Sequence, residues 1–330
     1  MKKLLIATTA LVGSAGVVAA DISFNGYGRF GILYEEDRGD GALEDTRLES
    51  RYRLNIDTST ETDGGVRFAA RIRVQADDNS DGTVDAGSFS GARFQVSAGG
   101  FRVRVGNVSG VHDAAEVVNF FGFEPGLIGQ IGHYSTFGGG PIDAFSASSP
   151  GGAEGNGGVN GINVKYEAGA FAVMASYSED FDENDGSTSV GDYEAFEIGA
   201  SYEIIGWTFG VGYGMADFGD ANGDTGVDTD FWTVTATGAI GPADVAFFLG
   251  DSDDEFNTDD DLAYGVSGSI PVGASTNIVA SYAGGGRDSI DDAYGIGFTH
   301  SLGGGVNLSG MVGRQTNENT IADLGVRFDF

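Results

Sequence analysis

The chain of 330 residues contains 57 glycines, five prolines and no cysteine, and its formal net charge is −32 at pH 7. The glycines follow no three-residue period and 41% of the residues are hydrophobic, which excludes a collagen-like chain and argues against a disordered one. Without cysteine there are no disulfides, thiolate metal sites or cysteine nucleophiles. So negative a surface repels the phosphate backbone, and we expect no nucleic-acid partner.

The first twenty residues differ from the rest of the chain. Lys2 and Lys3 precede an apolar stretch over 4–12, and small residues lead up to Asp21. This pattern predicts a secretory signal peptide over residues 1–20 and one mature domain over 21–330. A membrane anchor is the alternative, but the apolar run is short for a span. We expect export from a bacterial cytoplasm.

From residue 22 onwards, polar and apolar residues alternate. In the first segment the even positions from Ile22 to Tyr34 are apolar or glycine, while the odd positions include Asn25 and Arg29. A period of two predicts a β-strand with one polar face. About sixteen such strands are predicted, at 22–36, 46–58, 64–77, 89–99, 100–107, 159–168, 169–180, 192–204, 205–218, 229–240, 242–251, 260–271, 273–284, 291–302, 304–314 and 320–330.

The connections between these strands alternate between short turns and long loops rich in Asp, Gly and Asn. This pattern is typical of outer-membrane barrels, which have short turns at one end and long loops at the other. Lipid does not tolerate open sheet edges, so the sheet must close. We therefore predict an all-β, transmembrane, up-and-down antiparallel β-barrel of about 16 strands that encloses water. A soluble sandwich is the alternative.

The connection over roughly 108–158 is unusually long for a loop without strands, which indicates a functional role. It carries acidic residues among Phe120, Phe121 and Leu127, and a loop this apolar is not expected to extend into solvent. We predict that this third long loop folds into the lumen, with its apolar side chains on the wall and its carboxylates facing water. A lid outside the barrel is the alternative.

Arginines are concentrated in the first five predicted strands, mostly at positions of the polar face. Because adjacent strands lie ~4.8 Å apart, their guanidinium groups must line one wall. We predict a charge-segregated constriction that pairs this wall with acids of the third loop, with a larger effect on conduction from Arg71 or Arg73 than from Lys165. The predicted constriction residues are Arg29, Arg51, Arg53, Arg67, Arg71, Arg73, Arg93, Arg102, Arg104, Asp113, Glu116 and Glu124. Structural ion pairs with Glu49 or Asp57 are the alternative role for these arginines.

Several segments resemble the general porins of photosynthetic alphaproteobacteria, the Rhodobacter type. They are Asn25-Gly-Tyr-Gly-Arg-Phe-Gly31, Glu36-Asp-Arg-Gly39, Leu43-Glu-Asp-Thr46, Thr60-Glu-Thr-Asp63, Asp292-Ala-Tyr-Gly-Ile-Gly297 and the ending from Ile321 to Phe330. The resemblance implies a trimeric sixteen-stranded barrel in the bacterial outer membrane, with an inward third loop that forms an eyelet. It also implies that Phe330 is part of the recognition signal for outer-membrane assembly.

One outer loop has the spacing of a calcium-binding loop. Asp77, Asn79, Asp81 and Asp85 fall at ligand positions, but the position of the usual bidentate glutamate is Ser88. A weak calcium site is therefore one interpretation, and a solvated acidic loop is the other.

The expected function is passive diffusion of small hydrophilic solutes and ions, with no required cofactor. We expect outer-membrane lipid and a homotrimer as partners. No enzymatic activity is expected, because the three histidines show no metal-binding spacing and no nucleophile elbow is present. A substrate-specific channel is the main alternative, and a secreted calcium-binding β adhesin is a more distant one.

Overall fold

The computed structural model describes residues 20–38, 41–77, 87–132, 160–179, 193–218, 227–254, 262–286 and 291–330. The predicted signal peptide lies outside this part of the chain, apart from Ala20. The described residues form one short helix, α1 (Val111–Ala114), and seventeen strand segments. These are β1 (Asp21–Glu35), β2 (Thr46–Glu61), β3 (Arg67–Asp77), β4 (Ser88–Phe89), β5 (Arg93–Ala98), β6 (Phe101–Gly106), β7 (Asn160–Ala168), β8 (Phe171–Glu179), β9 (Tyr193–Ile204), β10 (Trp207–Phe218), β11 (Val227–Ile240), β12 (Ala243–Asp254), β13 (Ala263–Pro271), β14 (Thr276–Gly284), β15 (Ala293–Gly303), β16 (Val306–Arg314) and β17 (Thr320–Asp329).

The strands form one closed antiparallel barrel. Strand β1 pairs with β2 on one side and with β17 on the other, so the sheet has no free edge there. Strands β4 and β5 both pair with β3 and together act as one interrupted strand. The barrel therefore has sixteen strands, as predicted. No helix in the described ranges is long and apolar enough to cross a membrane.

The outer face of the barrel is apolar. Large side chains at even positions of β1 point outward, where Phe24 is 64% and Phe30 is 56% exposed. On β13 the exposed Tyr264 and Val266 alternate with buried, smaller residues. So wide an exposed apolar surface is anomalous in water but matches the lipid-facing band of a membrane barrel.

The connection between β6 and β7, residues 107–159, is here called L3, and residues 107–132 of it are described. Val111, Val118 and Phe120 of L3 are buried in a cluster with Phe231 of β11 and Phe248 of β12. Further along, the partly buried Leu127 packs against a second cluster. That cluster consists of Leu33, Ile128, Ile131, Ala293, Met311 and Ile321. The described part of L3 thus lies inside the barrel, as predicted.

Small residues on the facing strands make room for L3. A Cβ atom at Gly199 of β9 would lie 2.6 Å from a methyl carbon of Val111, and one at Gly210 of β10 would lie 2.5 Å from the carbonyl oxygen of Val117. These approaches are too short for any side chain. Glycine on the inner face of this wall is therefore a requirement of loop packing.

Candidate functional site

The inward faces of β1, β2, β3, β5 and β6 form a surface that we call the arginine wall. The alternation that sends Phe94 and Val96 outward sends their odd-numbered neighbours into the lumen. The members of the arginine wall are Arg29, Arg51, Arg53, Arg71, Arg73, Arg93, Arg102 and Arg104. The strand register places Arg29 opposite Arg51 and Arg71 opposite Arg93, so like charges face each other across neighbouring strands.

Acidic and amide side chains between the arginines partly balance this wall. Arg71 donates to both carboxylate oxygens of Asp57, with its Nε 2.6 Å from Oδ1. A guanidinium nitrogen of Arg51 lies 2.7 Å from the carboxylate of Asp77. The structural ion pairs considered as an alternative are therefore present, and they coexist with the line of cations.

Three further arginines of the predicted constriction have other neighbours. Arg53 donates to the amide oxygen of Gln75 at 2.6 Å, and a nitrogen of Arg29 donates to the carbonyl oxygen of Leu127 in L3 at 2.6 Å. Arg67 lies at the exposed end of β3 and donates to Ser59. Its Cα is about 13 Å from that of Arg71 along the strand, given ~3.3 Å per residue.

Glu116 of L3 connects the loop to the arginine wall. Its two carboxylate oxygens lie 2.6 Å from Arg102 and 2.7 Å from Arg104. Lys165 of β7, at 3.1 Å, is a third cation on the same carboxylate. Burial acts to raise the pKa of Glu116, but the hydrogen bond from Arg102 and the charges of Arg102 and Arg104 outweigh it and lower the pKa to about 2.

Lys165 was expected to affect conduction less than Arg71 or Arg73, but the structure places it on Glu116 at the constriction. Lys165 of β7 is the register partner of Arg102 of β6, so both side chains lie on the inner face of the barrel. The parity of β7 carried this signal, because Lys165 alternates with the outward Val164 and Tyr166.

A cavity of about 300 Å³ lies between the arginine wall and L3. Four arginines line it on one side and two L3 acids on the other. The lining residues are Arg71, Arg73, Arg93, Arg104, Asn107, Ser109, Asp113, Ala114 and Glu116. The structure therefore brings six of the twelve predicted constriction residues to one space, with opposite charges facing each other.

Glu124 lies apart from this cavity. Its carboxylate accepts a hydrogen bond from the backbone N–H of Gly132 at 2.6 Å. This contact joins two parts of L3 that lie eight residues apart in the sequence. Burial raises the pKa of Glu124 to about 7, although hydrogen bonds from the backbone of Gly132 and Ile131 act in the opposite direction. Glu124 thus acts within the loop, and among the described residues it is not part of the cavity lining.

L3 is held to the far wall by a buried histidine and glutamate. Glu197 of β9 accepts a hydrogen bond from the backbone N–H of His112 and lies 2.8 Å from its Nδ1 atom. The other ring nitrogen lies 2.8 Å from the hydroxyl oxygen of Thr233. Both His112 and Glu197 are fully buried. This anchor holds α1, and with it Asp113, at the cavity.

A second anchor holds the middle of L3 to β17. One carboxylate oxygen of Asp323 accepts three backbone hydrogen bonds, from Leu127, Ile128 and Gly129, at 2.6 to 3.0 Å. Three successive N–H groups around one oxygen form an anion-binding concavity. Neither anchor has a signal in the sequence, since each is one acid in an otherwise ordinary strand.

The predicted calcium loop falls mostly outside the described residues. Asn79, Asp81 and Asp85 are not described, and Asp77 is occupied by Arg51 and Gln75. Within the described ranges, no group of three acidic or histidine side chains is arranged to hold a metal ion.

Comparison with known proteins gives consistent matches along the chain. A family model described as Gram-negative porin matches residues 7–320. A porin of Fuscovulum blasticum is 34% identical over 314 residues, covering 94% of this chain and all of that protein. A porin of Rhodobacter capsulatus is 28% identical over 341 residues, with the same coverage. A solved structure of a mutant Rh. blastica porin superposes with a TM-score of 0.74 at 33% identity, covering 94% of this chain and all of that one.

Proposed function

Since this chain belongs to the Gram-negative porin family, we propose that the cavity between its arginine wall and L3 is the constriction of the channel. The protein itself is an outer-membrane porin, a barrel through which small hydrophilic solutes diffuse passively. Secreted adhesion, the more distant alternative, receives no support from this family match.

The observation that carries the proposal is the separation of charge across one cavity. Arg71, Arg73 and Arg93 lie on the strand side, and Asp113 and Glu116 lie on the loop side. Because charges in a narrow passage with protein walls are weakly screened, the opposed rows set up a transverse field. Such a field orients dipolar solutes and disfavours apolar ones. Selection then needs neither bond formation nor an energy source.

Reversal potentials in a KCl gradient across a planar bilayer test this proposal. Arg73→Gln removes a cation from the cavity and is expected to shift selectivity towards potassium, whereas Asp113→Asn is expected to shift it towards chloride. Arg314→Gln is the matched control, because Arg314 pairs with Glu318 on the exposed end of β16. If both cavity variants leave the reversal potential at the wild-type value, the cavity is not the constriction.

We also propose that the functional unit is a homotrimer. Strand β6 has six residues, which at ~3.3 Å per residue is about 20 Å, short of the ~25 Å apolar band of a membrane barrel. A groove of about 250 Å³ is lined by residues of the nearby strands β2, β3 and β5, among them the outward-facing Phe68, Phe94 and Val96. A neighbouring subunit would cover this short and grooved side.

Electrophoresis without heating tests the trimer. Phe94→Arg places a charge in the groove and is expected to shift the protein from trimer to monomer mobility. A matched change five strands further round the barrel, Phe209→Arg on β10, also faces outward and is expected to leave a trimer. Trimer mobility of the Phe94 variant would contradict the proposed interface.

The remaining expectations are part of the same proposal. Residues 1–20 would direct export, and the protein would require no cofactor and carry out no chemical reaction. Transport specific for one class of solute remains the second candidate function, because the cavity presents one sign of charge in excess on its strand side.

A further inference from the structure

We infer that the cavity between the arginine wall and L3 binds phosphate, either as the free ion or as the phosphate group of a small organic monoester. This inference rests on the proposed constriction and names the class of solute that the constriction retains. It concerns one side of the cavity, where Arg71, Arg73 and Arg93 converge.

The first observation is the position of Arg93. It is the direct register partner of Arg71 on β3, and on its other side it faces Gly106, which has no side chain. Among the described residues no oxygen accepts a hydrogen bond from its guanidinium group. Like charges placed directly opposite each other destabilise a sheet. Arg93 therefore presents to the cavity a cation that, within the described residues, has no hydrogen-bonded counter-ion.

The second observation is the balance of charge around the cavity. Asp57 holds Arg71 from the β2 side. Glu116 is shared between Arg102, Arg104 and Lys165 and is already surrounded by cations. Across the cavity, the four arginines of the lining are opposed by Asp113 and by Glu116, whose carboxylate is shared among three cations. The excess is positive, and it favours an anion with more than one charge.

The third observation is the kind and number of donors. Guanidinium groups are planar forks that bind phosphate oxygens in pairs, and they stay charged at any working pH. Asn107 and Ser109 add neutral polar groups to the same lining. The cavity volume of about 300 Å³ lies at the lower end of the ~300–1,000 Å³ range of small-molecule sites. The ligand that fits this chemistry is a compact, multiply charged oxyanion.

Chloride current through single channels in a planar bilayer tests the inference. Added inorganic phosphate is expected to reduce the current in a saturable manner. Arg93→Gln should raise the half-blocking concentration about tenfold, and Arg314→Gln should leave it unchanged. Glycerol phosphate in a second series distinguishes free phosphate from phosphate monoester. Equal block by inorganic phosphate and by glycerol phosphate indicates that the site contacts only the phosphate group.

Arg93→Lys separates this inference from the proposed constriction and replaces the glutamine variant should that one fail to form a barrel. Lysine keeps the charge but loses the fork, so the reversal potential in KCl should stay near wild type while the half-blocking phosphate concentration rises. Current that falls linearly with phosphate, or equal block in wild type and Arg93 variants, would overturn the anion site. If Arg73→Gln still shifts the reversal potential, the constriction stands without the phosphate site.

Discussion

The two sides of the barrel interior are built on different physics. The arginine wall is partly exposed and held together by ion pairs such as Arg51 with Asp77, whose side chains are 27% and 24% exposed. The opposite side is covered by L3 and held by apolar contacts and by the buried acids Glu197 and Asp323. One side presents charge to water, and the other fixes the position of the loop that faces it.

This difference determines where stability and selectivity reside. Ion pairs in contact with water contribute little to stability because solvent screens them, whereas breaking a buried pair leaves an uncompensated charge in a low-dielectric interior. We therefore expect changes on the loop side to alter the loop's stability and changes on the arginine side to alter conduction.

The largest effect is expected from Glu197→Ala. It leaves the buried His112 ring and backbone N–H without their acceptor, which should cost about 3 kcal/mol or more in the free energy that opens L3. Hydrogen exchange at the amides of Val111 and His112 measures this cost. Glu203→Ala, on the exposed end of the same strand, is the control and should leave exchange unchanged. Unaltered protection at His112 in the Glu197 variant would contradict the anchor.

A somewhat smaller effect is expected from Asp323→Asn. The neutral amide weakens three hydrogen bonds from residues 127–129, and hydrogen bonds to a charged group contribute about 1.5–3 kcal/mol each at most. Faster exchange confined to residues 127–129 is expected. Asp329→Asn provides the comparison, because Asp329 pairs with Arg327 in an exposed ion pair. Equal exchange rates at residues 127–129 in the Asp323 and Asp329 variants would contradict the second anchor.

A third test uses pH on the loop side. The pKa of Glu124 is about 7 in the folded loop against an ordinary value of 4.5, so the folded form binds this proton more tightly than the unfolded form. The stabilisation is complete below pH 4.5 and is lost as the pH rises through 7. The protection factor of the Gly132 amide, in which the intrinsic pH dependence of amide exchange is removed, should therefore fall over this range, and Glu124→Gln should abolish that fall. A wild-type profile in the Glu124 variant would assign the titration to another group.

The smallest effect on stability is expected from Arg51→Gln on the arginine wall. Its pair with Asp77 is partly exposed to the water of the lumen, so we expect it to contribute about 1 kcal/mol or less. Samples are heated to increasing temperatures before electrophoresis. The temperature above which the protein no longer runs with the mobility of the folded barrel should change little, while channel conductance should change measurably. A large thermal destabilisation would show that the arginine wall is as structural as the loop side.

The same contrast explains what could be predicted from the sequence. Strand positions came within three residues of the structure, because alternation in segments such as 22–36 reports directly on two chemically different environments. The arginine wall followed from parity alone. Parity could not indicate which inward residues L3 covers, since Glu197 and Asp323 have the same pattern as water-facing acids.

The sequence does not distinguish the acidic residues of L3 from one another, but the structure gives them different positions and contacts. Asp113 and Glu116 line the cavity, whereas Glu124 holds the backbone of Gly132. Loop acids have no strand period to orient them, so their roles depend on contacts between residues distant in sequence. Lys165 is the converse case, because its parity in β7 already indicates a position on the inner face.

The most direct test of the account is whether the cavity lies in the path of the ions. The natural chain has no cysteine, so Ala114→Cys introduces a single thiol into the cavity lining. A negatively charged methanethiosulfonate reagent should lower single-channel conductance in one step per subunit, and Ala98→Cys at the exposed end of β5 should show no change. Modification of the thiol at Ala114, verified by mass, with conductance unchanged would contradict the account.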